Sequence, residues 1–368
     1  MHTWTSALDT RLGKLENRIP VVMIALLIGG IIYAIAMALV SGAGTGPGPH
    51  GWQYMALSEA PFDFSIRKDV GFRRMGPILG FITGLRGDRF LWLTSLCAAF
   101  IPAALYLWGR QRNMSPSVAV GVALLVGTTG VLLIHFIARG YVDPIYYLLA
   151  MSAFLWRKKT ILSAVLLLMA IMTHECIWAL APAWWLYGIV LQKGGSRSWL
   201  IQSASFLAVI AIWAGWRLWL GTKVEASFDF EFYFTWENVR MMLRGHLAFV
   251  PLGAFYALKL GWAVPLRAMS RNMKQAEYGM ILVMLLLIGG VTAQALVALD
   301  LGRLFALAFP VIPIGLLVLH QQEDLRSKLS VWIWQLNLAN LPLLFYYVAS
   351  KEVHPLLPYP LKALIEML

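Results

Sequence analysis

Charge is what this chain has least of. Asp, Glu, Lys and Arg make up 13% of its 368 residues, and 60% are apolar. Soluble domains carry roughly 25% charge, so this is a lipid-embedded composition. Acids are scarcer than bases, 18 against 30. The resulting formal charge of +12 does not imply nucleic acid as a partner: the bases fall in short clusters between apolar runs, the pattern that orients membrane spans. Cysteine is also scarce. Cys97 and Cys176 both lie inside apolar runs, which excludes a disulfide framework. The chain has no GxGxxG and no P-loop, no evident internal repeat and no soluble domain, so a nucleotide-binding fold is not expected. A cleavable signal is missing too. Asp9 and Glu16 interrupt the basic residues ahead of the first apolar run, and that run is long enough to serve as a signal anchor.

What is present is hydrocarbon, punctuated. The 16 Trp and 13 Tyr suit a protein with many membrane–water boundaries. Residues 1–18 set Trp4, Leu8, Leu12 and Leu15 at helical spacing among Arg11, Lys14 and Arg18, predicting an interfacial helix on the cytoplasmic side. The first span, 19–40, is ~33 Å long at 1.5 Å per residue, enough for a ~30 Å core. Further spans are expected over 90–108, 118–138, 145–156, 199–220, 247–266, 280–299, 304–319 and 331–348. Region 160–191 has basic clusters on both sides, Arg157-Lys158-Lys159 and then Lys193 and Arg197. It must therefore go out and back in two short arms of ~21–24 Å, turning near Thr173-His174-Glu175. The alternative is one long helix kinked near Pro182, which inverts everything downstream. The hairpin reading predicts an all-α polytopic membrane protein forming one domain over 1–368. It has about eleven spans, a cytoplasmic N-terminus, a second outer loop at 221–246 and an outer tail at 349–368.

The organising stretch is the first outer loop, 41–89, with interfacial helices of its own. It opens on a Gly/Pro run, then brings together Trp52, Tyr54, Glu59, Asp63, Asp69, Arg67, Lys68, Arg73 and Arg74. Long connections of this kind are usually functional. On this topology Asp143, the pair His174-Glu175, and Asp300 with Arg303 reach the same outer side. Carboxylates and imidazoles supply acid–base chemistry, and Arg binds phosphate. That makes His50, Asp63, Asp143 and Glu175 candidate catalytic residues. Arg73, Arg74, His174 and Arg303 are candidates for binding a substrate phosphate. Plainer readings stand beside each: His50, Asp63 and Asp69 as solvated loop residues, Arg73 and Arg74 snorkelling to headgroups, Asp143 capping the span that begins at Pro144. Lys259 reads as snorkelling or paired. No ligand pattern indicates a metal, although a divalent ion is compatible with the chemistry.

These residues carry a resemblance. The run GWQYMALSEAPFD…FRRMGP, then Asp143 before a short span, then Thr173-His174-Glu175, then DLGRLFALAFP at 300–310, resembles the small bacterial integral-membrane glycosyltransferases of the GT-C superfamily. The resemblance covers most of the chain in order, through short motifs. It implies a bacterial plasma-membrane enzyme that takes a sugar from a polyprenyl-phosphate donor and passes it, with inversion, to an extracytoplasmic acceptor. The family pattern places an aspartate base directly before Gly51-Trp52-Gln53-Tyr54, and here that position is His50. Either His50 or Asp63 takes the role, or the chain is a degenerate relative that binds partner membrane subunits. A transporter also puts ionisable groups between spans, but usually with matched interrupted helices; this chain shows one interrupted region.

Overall fold

The computed structural model describes the chain except for residues 41–45, 49, 66–69, 175–176, 193–195, 225–239, 241–246, 248, 276, 296–300, 344, 350–351 and 357–368. Helix dominates, as the composition requires. Backbone polar groups in lipid must be satisfied within the segment, and a helix does so. The N-terminal helix α1 is His2–Glu16 and α2 is Val21–Leu39; the connection that follows holds α3 (Gly51–Glu59) and α4 (Met75–Thr83). A run of helices follows: α5 (Phe90–Gln111), α6 (Pro116–Gly127), α7 (Gly130–Ile137), α8 (Asp143–Leu155), α9 (Thr160–Thr173), α10 (Ile177–Gln192) and α11 (Ser196–Gly221). The C-terminal part adds α12 (Val250–Leu258), α13 (Ala263–Lys274), α14 (Tyr278–Ala295), α15 (Leu301–Ala306), α16 (Val311–Gln321) and α17 (Glu323–Asn340).

Among the described residues, Val21–Leu39, Gly87–Gln111, Ser196–Gly221, Tyr278–Ala295 and Leu301–Gln321 are long and apolar enough to cross a membrane. The chain is thus an α-helical membrane protein with several spans. The expected span 118–138 is a pair, α6 and α7, bent by 41°. The short spans expected at 145–156 and 160–191 are shorter apolar helices, Asp143–Leu155, Thr160–Thr173 and Leu180–Leu191.

Region 160–191 folds back on itself. The indole Nε1 of Trp184 in α10 donates to Ser163 Oγ in α9 at 2.7 Å. On one continuous helix these residues, 21 apart, are separated by ~31 Å. α9 ends at Thr173 and α10 begins at Ile177, and Pro182 sits inside α10 without ending it.

Two expected spans take another form. Over 247–266 the helix stops at Lys259, whose φ of +47° is foreign to a helix. Its Nζ donates to Leu343 O at 2.9 Å, and Leu260 N–H donates to Asn340 Oδ1 at 3.2 Å. Lys259 is paired inside the protein, so α12 and α13 are two helices at a corner. The span expected at 331–348 is shifted: α17 starts at Glu323 and ends at Asn340. A polar seam fixes it against α6, with Asn337 Nδ2 on Gly121 O (2.7 Å), Asn340 Nδ2 on Thr128 Oγ1 (2.8 Å) and Trp334 Nε1 on Ser117 O (3.1 Å). The described chain is helical as expected, with one small addition beyond α17. β1 (Phe345–Ala349) and β2 (Glu352–Leu356) form an antiparallel hairpin, with Phe345 opposite Leu356 and Ala349 opposite Glu352. Aromatic and β-branched residues in FYYVA favour a strand, and they had read as the end of an apolar span.

The N-terminal helix is held by its acids. Asp9 accepts from Ser117 N–H at 2.6 Å, and Glu16 takes a two-pronged contact from Arg110 at 2.7 and 2.6 Å.

Candidate functional site

Helix α8 carries the centre of the site at its first residue. Pro144 fixes the helical start, its missing N–H falling where a helix has no partner for it. Asp143 is thereby set in the first turn, 3% exposed. Arg303, in α15, donates Nη2 to both carboxylate oxygens, at 3.0 and 2.9 Å. One turn along α8, Tyr147 OH donates to the Arg303 carbonyl at 3.2 Å. The Tyr141 ring lies under the guanidinium at 4.5 Å. Carboxylate, hydroxyl and ring together fix Arg303 in one pose.

His174, the last described residue before the α9–α10 break, brings Nε2 to 3.9 Å from Asp143 Oδ1. Its ring rests against Tyr146, with centroids 5.5 Å apart. The end of α9 therefore reaches the carboxylate.

The connection between α2 and α5 joins from the other side. The corner at 138–141 turns through Gly140, with φ +80°, and α3 docks onto it. A side chain at Gly51 collides with the Arg139 carbonyl, so that approach requires glycine. Gly48 N–H donates to Arg139 O at 2.9 Å, and His50 N–H donates to Tyr141 OH at 3.3 Å. The His50 ring stands 5.6 Å from that of Tyr141, with Nδ1 3.1 Å from Gln53 Oε1. Tyr54, fully buried one turn further, is edge-on to Tyr141 at 6.2 Å and accepts from Arg73 Nη1 at 3.3 Å. Burial pushes the Tyr54 phenol up, against the pull of Arg73. The charge of Arg73 also acts on Asp143.

Of the expected residues, then, Asp143, Arg303 and His174 meet directly. His50 and Arg73 join them through Tyr141 and Tyr54. Asp63 and Arg74 do not. Arg74 is buried inside its own loop, with Nε on Gly71 O (2.7 Å), Nη1 on Pro61 O (2.6 Å) and Asp63 O (3.0 Å), and Phe64 stacked at 4.6 Å. It knots residues 61–74 together. The Asp63 carboxylate is exposed and accepts from Ser65 N–H and Oγ, which lower its pKa. Glu175 and Asp300 lie outside the described residues. Sequence reasoning missed the tyrosines at 141, 146 and 147. Their signal is the run YVDPIYY, which flanks the buried Asp143 with phenols. Among the described residues no three His, Cys, Asp or Glu side chains converge as metal ligands.

Chemically, the cluster offers a fixed carboxylate, an imidazole beside it, and two guanidinium groups on one polar island against apolar helices. No protein family, curated protein or solved structure matches this chain.

Proposed function

We propose that this chain is a membrane glycosyltransferase of the GT-C type, moving a sugar from a polyprenyl-phosphate donor to an extracytoplasmic acceptor. The observation that carries this reading is the buried Asp143–Arg303 pair with His174 beside it and Arg73 reaching over from the first loop. A sugar hydroxyl is a poor nucleophile, so a base must take its proton as it attacks the anomeric carbon. His174 is assigned that role, with Asp143 holding and polarising it. The bond from the anomeric carbon to the phosphate oxygen breaks with inversion, and its electron pair leaves with the lipid phosphate. Arg73 and Arg303 stabilise that charge in a site prepared for it. The donor reaches the cleft sideways from the bilayer, which suits a fold with no nucleotide-binding motif. About eleven spans, an inner N-terminus and an outer C-terminus in a bacterial plasma membrane belong to the same proposal.

One observation favours a second reading. The carboxylate is already neutralised by Arg303, and His50 stands where the family pattern has aspartate. A scaffold that binds the lipid or a partner subunit without turnover fits that arrangement. Titrating purified protein with undecaprenyl phosphate, followed by tryptophan fluorescence, tests the shared core. Arg73→Gln is expected to weaken binding tenfold or more, and Arg73→Lys less, since Lys keeps the charge but loses the fork. Absence of binding by the natural protein overturns both readings. Binding with no sugar transfer from a charged donor leaves the scaffold.

A further inference from the structure

Past the opposite end of α8, in the turn to α9, a second guanidinium is buried without an acceptor. Arg157 is 1% exposed, and Nε, Nη1 and Nη2 all lack a hydrogen-bond partner. One face is covered: its Cζ lies 4.1 Å over the Trp184 ring. Beside it in α11, Gln202 is also buried and its Oε1 has no donor among the described residues. Gly188 is shaped to the guanidinium. A methyl group there collides with Arg157 Nη2 and stands 2.6 Å from the Gln202 amide.

Among the described residues no carboxylate pairs with Arg157. Between Asp143 and Glu225 the sequence contains one acid, Glu175, at the far end of α9. The neighbours are cations: Lys158 and Lys159 follow directly, and Arg197 opens α11, all three exposed. A buried charge without a partner carries a heavy desolvation penalty, and a chain that supplies none leaves the partner to come from outside. The same corner presents apolar side chains outward, with Ile161 76% and Leu200 60% exposed. Donors for an anion, a basic rim and a greasy flank thus meet at the membrane boundary that the Arg157-Lys158-Lys159 run marks.

We propose that Arg157 is the anchor of a lipid site, donating its free N–H groups to the phosphodiester of an anionic phospholipid. Lys158, Lys159 and Arg197 draw the headgroup in, and the acyl chains lie along α9 and α11. The site is separate from the Asp143 cluster and does not depend on the glycosyltransferase reading.

The test uses the full chain, delipidated in a neutral detergent, with thermal unfolding read against added phosphatidylglycerol, phosphatidylcholine or inorganic phosphate. Phosphatidylglycerol is expected to raise the Tm by several degrees, and native mass spectrometry to show one retained lipid. Arg157→Gln is expected to bind at least tenfold more weakly and, without lipid, to unfold no lower than the natural protein, because the unpaired charge is gone. Should that variant fail to fold, Arg157→Lys serves, with a partial loss of the lipid shift expected. Equal shifts in the natural protein and the variant overturn the proposal, leaving water on the guanidinium. A full shift with inorganic phosphate alone, or an equal one with phosphatidylcholine, overturns the anionic-lipid assignment.

Discussion

Two arginines are buried at the two ends of α8, a helix of 13 residues and so ~20 Å long, and they are treated in opposite ways. Arg303 meets a carboxylate, a tyrosine ring and a fixed backbone. Arg157 meets a tryptophan ring and nothing that accepts a hydrogen bond. Both charges are out of water, so the difference lies in where the compensation comes from. At the Asp143 end the chain neutralises itself, and the pair is prepared before any substrate arrives. At the Arg157 end the described residues supply no acceptor for the guanidinium. A buried charge paired within the chain builds a rigid site, whereas one left unpaired calls for an external ligand.

The largest expected effect breaks the first half of that contrast. Asp143→Ala leaves Arg303 buried and uncompensated, a loss of about 3–5 kcal/mol of stability. The double variant Asp143→Ala with Arg303→Met removes both charges and is expected to recover much of that loss. Unfolding of the two variants in detergent checks it. If the double variant is no more stable than the single one, the pair is not a closed unit.

A smaller effect tests the hairpin that carries His174 to the site. Ser163 Oγ accepts from Trp184 and donates to Ala153 O at 2.6 Å, tying α8, α9 and α10 at one hydroxyl. Ser163→Ala strands a buried indole N–H, at about 1–3 kcal/mol. The loss should appear in the unfolding free energy, with the Trp184→Phe background bringing it towards zero. A Ser163→Ala variant as stable as the natural protein removes the tie.

Much of this was legible in the sequence where one local rule dominated. Basic clusters on both sides of 160–191 predicted the fold-back, and the Asp143-Pro144 start predicted a helix beginning on a carboxylate. The partners were not legible. Arg303 lies 160 positions from Asp143, and nothing local says that the two touch. Arg73 and Arg74 are neighbours in sequence with the same chemistry, yet the loop turns one towards Tyr54 and closes on the other. The tyrosines were hidden by a default, because aromatics in a membrane protein read as boundary residues. The hairpin at 345–356 was hidden by another: its apolar run continues that of α17, and only the tertiary seam through Asn337 and Asn340 decides where the helix stops.

The smallest effect concerns another ion pair, whose arginine is more exposed than either Arg303 or Arg157. Glu16 accepts from Arg110 Nε and Nη2, and from Tyr106 OH at 2.5 Å, fixing the end of α1 to α5. The Arg110 hydrogen bonds hold its carboxyl below the ordinary value of 4.5, against burial, which opposes them. For a carboxylate with a lowered folded pKa, the stabilisation is full above the ordinary value and is lost as pH falls through the lowered one. The anchoring of α1 should therefore be constant from pH 8 to about 5 and decline below 4.5. Arg110 is 24% exposed, so solvent screens the pair and the effect is about 1 kcal/mol or less. Hydrogen exchange of the α1 amides, corrected for the intrinsic pH dependence, measures it. The Asp9→Asn background removes the other carboxylate that ties α1 down, at Ser117. In that background Glu16→Gln should show reduced protection at every pH and no further decline. A natural protein that loses α1 protection near neutrality, or a Glu16→Gln variant that keeps it, places the anchor elsewhere, in the Trp4–Trp334 contact at 4.5 Å.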